Sequence, residues 1–307
     1  WLSMMYSRLR LAKNILAEDG VIFISIDENE IQNMTLVCNE IFGGKNFVSK
    51  FIIRSNPRGS QASKFIAVEH EYILCYCKNS DVVNIEGYKK SDDEASDYNQ
   101  LDNTGRKYRL LGLRQRGGAW RREDRPLMHF PVYIEEATGE VSLTPSSKFT
   151  KEALPTRPSG EDGRWTWGKG KFEKDKHLLL GKKVTRNGES DFWDIFRKDY
   201  LHSEDGNIST KKPRSIWDEK EVNYQNARNE IKELFNNSEM FDFPKPTFVI
   251  RKCLEMLDLQ DQIIMDFFSG SATAAHAVAQ LNAEDGGNRK FIMVQLPEEC
   301  DPKSEAA

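Results

Sequence analysis

The segment 241–296 constrains the fold more than any other. "FDFPKPTFVIRKCLEMLDL" carries two prolines and then a helical pattern with Val249, Cys253, Leu254 and Leu257 on one face. "QIIMDFF" reads as a buried strand, "SGSATAAHAVAQLNA" as a turn and a helix, and "KFIMVQL" as a further strand. A strand, a helix and a second strand in direct succession make a parallel crossover, the building unit of α/β sheets.

The other end of the chain fits the same class. In "WLSMMYSRLRLAKNILAEDG" the residues Leu2, Met5, Leu9, Ala12 and Leu16 recur at helical spacing, and the helix is expected to end near Gly20. "VIFISI" is apolar at every position, so it is expected to be covered on both faces, as strands of a parallel sheet are. Asp27 followed three positions later by Glu30 predicts a capping box, opening a helix with Ile31, Met34, Cys38 and Ile41 on its buried face. Two strands, "NFVSKFIIR" and "HEYILCYCK", complete this part. The expected domains are 1–80 and 241–307, forming one α/β domain, with a different unit at 81–240 between them.

The middle region loses strong periodicity. Residues 81–103 are acidic, and residues 106–125 reverse the sign with Arg106, Lys107, Arg109, Arg114, Arg116, Arg121, Arg122 and Arg125, among which sit Tyr108 and Trp120. Such a run suits an arm that tracks phosphates and stacks on bases, and it equally suits a solvated loop paired with the acids before it. "GRWTWGKGKFEKDKHLLLGKK" has the same ambiguity, since Trp165 and Trp167 two apart also make a core face. The net charge of −4 excludes a generally basic coat and leaves room for a local basic patch.

The five cysteines, Cys38, Cys75, Cys77, Cys253 and Cys300, show no CxxC pair, which points to a reduced, cytoplasmic protein with no metal site. Cys75 and Cys77 are expected as buried small hydrophobes. No apolar run approaches the roughly 18 residues of a membrane span, so no membrane partner is expected.

The turn "SGS" crosses the carboxyl edge of the sheet, where open α/β proteins bind ligands. Gly270 permits close approach of a ligand to the backbone, and Ser271 and Thr273 offer hydroxyls. Two other readings stand beside this one. A tight turn needs no ligand, and a dinucleotide is a further candidate, although "GSATAA" lacks GxGxxG and Gln295 stands where a ribose-binding acid is usual.

"DFFSGSATAAHAV" resembles the S-adenosylmethionine motif of amino-methylating DNA methyltransferases, and "FPKPTFVIRKCL" is similar to the helix motif preceding it in that family. "WLSMMYSRLRLAKNILAEDGVIFISIDENE", "HEYILCYCKN", "PRSIWDEKEV" and "LNAEDGGNRKFIMVQLPEE", in this order, resemble the modification subunits of type III restriction-modification systems, β-class DNA adenine N6-methyltransferases. The resemblance implies a Rossmann-like S-adenosylmethionine-dependent methyltransferase sheet with an inserted, mixed α/β target recognition domain. It implies that Phe267, Phe268, Ser269, Gly270, Ser271 and Thr273 border the cofactor and that Asp266 holds the turn. Lys245, Pro246 and Thr247 are placed near the methionine end and Gln295 near the ribose. Ala272 stands where the family has glycine.

The family's catalytic Asp-Pro-Pro-Tyr occurs nowhere in the sequence; "SNPRG" and "CDPKS" lack the second proline and the aromatic. The resemblance therefore expects that motif upstream of Trp1, in a longer protein truncated here at both ends and inactive as this piece. It turns Arg106, Lys107, Arg109, Arg114, Arg116, Trp120, Arg121 and Arg122 into candidate DNA contacts and His70 into a candidate wall of the target-base pocket. Glu69 is considered beside His70, while Asp27 and His276 are given structural roles first. The implied reaction is methyl transfer from S-adenosylmethionine to adenine N6 of double-stranded DNA, with cytosine N4 methylation or a non-catalytic DNA-binding module as alternatives. The implied partners are a second copy of the chain and a restriction helicase-nuclease subunit.

Overall fold

The computed structural model describes residues 1–60, 64–157, 159–185, 191–203, 206, 209–257 and 259–296. Cys300 and the "CDPKS" stretch lie outside the described residues, as does the end of the "LNAEDGGNRKFIMVQLPEE" block. Among the described residues no helix is long and apolar enough to cross a membrane, and no cluster of His, Cys, Asp and Glu is arranged to hold a metal ion. The chain forms two compact units, one of Trp1–Tyr88 with Thr210–Ala307 and one of Lys89–Ser209.

The first unit opens with helix α1 (Leu2–Ile15), strand β1 (Val21–Ile26), helix α2 (Ile31–Phe42) and strands β2 (Phe47–Ile53) and β3 (Glu71–Cys77). It continues with β4 (Ile216–Trp217), α3 (Tyr224–Phe235), α4 (Thr247–Glu255), β5 (Ile263–Asp266), α5 (Thr273–Asp285) and β6 (Lys290–Met293). The strand order in the larger sheet is β1-β3-β2-β4. β3 runs antiparallel to both neighbours, and only β4 lies parallel, to β2. The expectation of a parallel sheet around "VIFISI" is therefore corrected. An all-apolar strand reports cover on both faces and says nothing about its neighbours' direction.

That cover is present. Alternate residues of β3 serve two cores: Leu74 and Tyr76 join Met5, Leu9, Met34 and Cys38 of α1 and α2, while Ile73 and Cys75 join Trp217, Val249, Cys253 and Met256. Each fully buried aliphatic side chain of this kind contributes about 1.5–3 kcal/mol. Cys75 and Cys77 are fully buried, and burial raises both thiols above their ordinary value.

The capping box at α2 does not form. Glu30 itself is the N-cap, with no side-chain cap bond, and Asp27 instead accepts from the Asn29 backbone N–H at 3.1 Å and the Asn29 side chain at 2.9 Å. Aspartate competes for local backbone donors, and here the turn two residues on wins over the helix end.

β5 and β6 pair in parallel across α5, from Ile263 with Lys290 to Asp266 with Met293. The alanine-rich α5 buries Ala274, Ala277, Val278 and Leu281 and ends on Gly286 in the left-handed region. The two strands form a sheet of their own. Consequently Ile263 and Met265 are exposed, and "QIIMDFF" is not the buried strand its composition suggests.

The second unit has its own core of Leu113, Phe130, Ile134, Trp165, Phe172 and Ile195. Its main sheet is antiparallel, ordered Leu179–Val184, Phe192–Tyr200, Lys107–Gly112 and Gln100–Leu101. A three-stranded antiparallel sheet places Val132–Ile134 between Val141–Ser142 and Lys151–Ala153. Trp165 and Trp167 are both core residues, with the Trp165 indole N–H donating to the Phe130 carbonyl at 2.8 Å.

Candidate functional site

The turn between β5 and α5 is held by hydrogen bonds within itself, to the residues that follow β6 and to Lys245. The Asp266 carboxylate accepts from the Phe268 N–H at 3.0 Å, which holds the chain as it leaves the strand. Ser269 donates its N–H to the Val294 carbonyl at 3.2 Å, and Ala272 donates to the Ser269 carbonyl at 2.7 Å. Gly270 donates its N–H to Gln295 Oε1 at 3.1 Å, so a side-chain amide two residues beyond β6 braces the turn. The hydroxyls of Ser271 and Thr273 lie 2.9 Å apart, and Thr273 Oγ1 donates to the Lys245 carbonyl at 3.1 Å.

Two residues of this turn take left-handed backbone angles: Gly270 at φ 48° and Ala272 at φ 58°. Glycine adopts this region freely, whereas a residue with a Cβ is held there at a cost of about 1–2 kcal/mol. A Cβ on Gly270 would meet the Phe241 ring at 3.3 Å. The Phe241 ring thus approaches the turn at Gly270, which is itself exposed. Phe267 packs against the α1–α2 core, while Phe268 is exposed, with the Arg8 guanidinium 5.5 Å from its ring centre.

Lys245, Pro246 and Thr247 form the start of α4. Pro246 is its N-cap, and Thr247 donates its N–H to Glu230 Oε2 of α3 at 3.1 Å. Both are buried, while Lys245 reaches a cavity of about 400 Å³ lined by Trp1, Ser25, Ile26, Asp27, Glu30 and Glu71. Antiparallel pairing explains this gathering. The register sets Ile26 opposite Tyr72, so the carboxyl end of β1 lies beside the beginning of β3, and Asp27 and Glu71 reach one space. The spacing of Asp27 points to a cap and that of Glu71 to no role, yet both line the cavity. No spacing in the sequence points to Glu71, because strand register brings it there.

His70 stands next to this edge. Its Nε2 is 2.9 Å from Tyr72 Oη, which donates to Glu28 Oε2 at 2.5 Å. That bond, with burial and the Glu28 charge, pushes the Tyr72 phenol up to about 12. Glu69 is tied elsewhere, accepting from Arg54 Nε at 2.8 Å. His276 lies half-buried within α5, 3.1 Å from the Gln280 amide.

The candidate DNA contacts fall into two groups. Arg114 is buried, pairs with Asp194 at 3.1 Å and donates to the Thr156 carbonyl. Arg109 pairs with Asp199 at 2.9 Å and Asp97 at 3.2 Å, and Arg106 stacks 4.1 Å from the Tyr200 ring centre and donates to the His202 carbonyl. Exposed are Lys107, Arg116, Arg121 and Arg122, the last paired with Asp162 at 2.9 Å. Trp120 is half-buried, with the Arg157 guanidinium 3.5 Å and that of Arg121 5.5 Å from its ring centre. The strand Lys107–Gly112 lies between two others, so this stretch is in part a sheet element and not a free arm.

Sequence comparison gives these features a context. A family model described as DNA methylase matches residues 1–300. The chain is 35% identical to the Mod subunit of the type III restriction-modification enzyme EcoPI of Escherichia phage P1 over 302 residues, 97% of this chain and 45% of that protein. It is 34% identical to the type II methyltransferase M.KpnI of Klebsiella pneumoniae over 296 residues, 96% of this chain and 66% of that protein. With the Mod subunit of the type III enzyme EcoP15I of Escherichia coli the identity is 30% over 323 residues, 100% of this chain and 48% of that protein. The chain spans about half the length of these two Mod subunits.

Proposed function

The chain belongs to the DNA methylase family, and from that premise we propose that it is the cofactor-binding and DNA-recognising part of a site-specific DNA adenine N6-methyltransferase, the Mod subunit of a type III restriction-modification system. The observation that carries the reading is the β5–α5 turn, held by backbone bonds with Gly270 in a left-handed conformation and roped to the Lys245 carbonyl through Thr273.

These residues suit S-adenosylmethionine. Gly270 leaves no Cβ where the Phe241 ring approaches the turn, and Lys245 offers an ammonium group to a carboxylate at the cavity wall. Lys245, Pro246 and Thr247 would hold the methionine end. Asp266 through Ser271 and Thr273 would border the cofactor, with Gln295 near the ribose. When bound, S-adenosylmethionine supplies a methyl group on an electrophilic sulfonium. The residues of this chain then have the task of orientation, since in-line attack by an exocyclic amine gains most from alignment of donor and acceptor.

An amine inside a duplex is reached by base flipping, and contacts to the extruded base offset the cost of unstacking it. His70 is proposed for the wall of that pocket, together with an Asp-Pro-Pro-Tyr motif, which the sequence does not contain. The unit Lys89–Ser209 is proposed as the target recognition domain, with Lys107, Arg116, Trp120, Arg121 and Arg122 as its available DNA contacts and Arg106, Arg109 and Arg114 acting through the shape they hold. A second copy and a restriction subunit are the proposed protein partners, in the cytoplasm. Without such a motif the chain alone is proposed to be inactive.

The test is methylation of duplex DNA by the protein with that motif in place, read by mass spectrometry of the released nucleosides. N6-methyladenine is expected. N4-methylcytosine would move the assignment to the other base, and DNA binding with no methylated base would leave a binding module.

A further inference from the structure

Arg157 lies outside the basic run of the second unit, on a turn closed by two backbone bonds. Its N–H donates to the Glu161 carbonyl and its carbonyl accepts from the Gly160 N–H, both at 2.9 Å. The half-buried guanidinium has its central carbon 3.5 Å from the Trp120 ring centre, a separation that fits a planar group lying flat on the indole. Nη2 donates to the Arg116 carbonyl at 3.3 Å, so the group is held by one face and one edge. Among the described residues no carboxylate pairs with it, and Glu161 on the same turn accepts from Ser159 Oγ at 2.9 Å instead. Arg109, Arg114 and Arg122, by contrast, are paired with Asp199, Asp194 and Asp162.

The platform beneath Arg157 is itself fixed. Ala119 takes a left-handed φ of 51°, and its carbonyl accepts from Nε of the buried Arg164, which also donates to the carbonyl of the core residue Trp165 at 3.2 Å. Arg121 pairs with Gly163 across an isolated β-bridge. Both neighbours of Trp120 are thus tied to residues 163 and 164.

These constraints decide what Arg157 can do. A guanidinium carries five N–H donors in one plane, and the Arg116 carbonyl takes one of them. The other donors point outward along that plane, because a stacked group bonds only at its edges. A phosphate accepts any cation within reach, including the exposed Arg116 and Arg121. A planar fork held in one position matches the two acceptors, O6 and N7, that guanine presents in the major groove.

We propose that Arg157, stacked on Trp120, reads one guanine of the target duplex through O6 and N7, with Trp120 as its positioning residue. This rests on the reading of Lys89–Ser209 as the target recognition domain and places a sequence-specific contact outside residues 106–125. A cation that meets only phosphate would strengthen binding to every sequence alike, and that difference can be measured.

The experiment is selection of duplexes from a randomised DNA pool by the 307-residue chain, with sequencing of the recovered DNA and titration of the preferred duplex at fixed salt. The parent is expected to recover a sequence with an invariant guanine that Arg157→Ala no longer requires, the other positions being unchanged. On the parent's preferred duplex Arg157→Ala is expected to bind about ten- to hundredfold more weakly, and Trp120→Leu about three- to tenfold more weakly with a relaxed demand for that guanine. Placing 7-deazaguanine, which lacks the N7 acceptor, at that position is expected to weaken the parent about three- to tenfold and Arg157→Ala by no more than about twofold. Thermal melting of each variant reports its folding, and the 7-deazaguanine duplex tests the parent without any substitution in the protein. An unchanged recovered sequence with equal weakening on all duplexes makes Arg157 a phosphate contact and overturns the inference, as does unchanged affinity, while selective binding by the parent continues to support the recognition-domain reading. A parent chain that recovers no preferred sequence overturns both.

Discussion

The β5–α5 turn and the basic stretch of the second unit use polar residues in opposite ways. At the turn, Asp266, Gln295 and Thr273 bind backbone N–H and C=O groups, so the side chains shape a surface that is left for something else. In the basic stretch, Arg109 and Arg114 are engaged by Asp199 and Asp194 within the unit's own sheet. The comparison teaches that the turn is braced by partners 25 to 28 positions away as well as by its own residues, whereas the availability of an arginine depends on residues some eighty to ninety positions away.

The largest test of that contrast is Asp194→Ala. If Arg114 serves the fold, removing its buried partner leaves an uncompensated charge and destabilises the second unit by about 3–5 kcal/mol. Chemical denaturation followed by tryptophan fluorescence measures this through Trp165 and Trp167, which share the core with Ile195 next to Asp194. An unchanged midpoint would show that the Arg114–Asp194 pair does not hold the second unit together.

A smaller effect probes the turn. Ala272→Gly relieves the left-handed strain and gives back part of the gain through the freer unfolded chain, for a net stabilisation of up to about 1 kcal/mol. A rise in melting temperature is expected, and a fall would show that the Ala272 methyl packs usefully in the native turn.

The smallest stability change is expected at Arg122→Ala. The exposed pair with Asp162 is worth about 0–1 kcal/mol. If Arg122 meets a phosphate, DNA affinity of the variant falls and its dependence on salt drops by about one counterion. Identical salt slopes in variant and parent would confine Arg122 to its ion pair.

The same contrast marks what the sequence makes legible. The buried face of α2, with Ile31, Met34, Cys38 and Ile41, follows from helical spacing alone, as does the start of α5 at Thr273. The direction of the strand beside "VIFISI" does not, because apolar continuity reports burial and not polarity of pairing. Asp27 fails as a cap because a closer donor at Asn29 wins. Trp165 and Trp167 alternate with bases in a way that fits nucleic acid or a core, and packing with Phe130 and Phe172 decides for the core. Glu71 and Tyr224 carry no local signal at all. They meet Lys245 across sequence separations of 174 and 21 residues, through strand register and helix placement.

The most direct test of the central claim is titration of S-adenosylmethionine into the chain and into its Gly270→Val variant. A branched side chain at φ 48°, facing the Phe241 ring 3.3 Å from the first added carbon, closes the turn to a ligand. Saturable binding to the parent and none to the folded variant is the predicted result. Equal binding to both would contradict the placement of the cofactor at the β5–α5 turn.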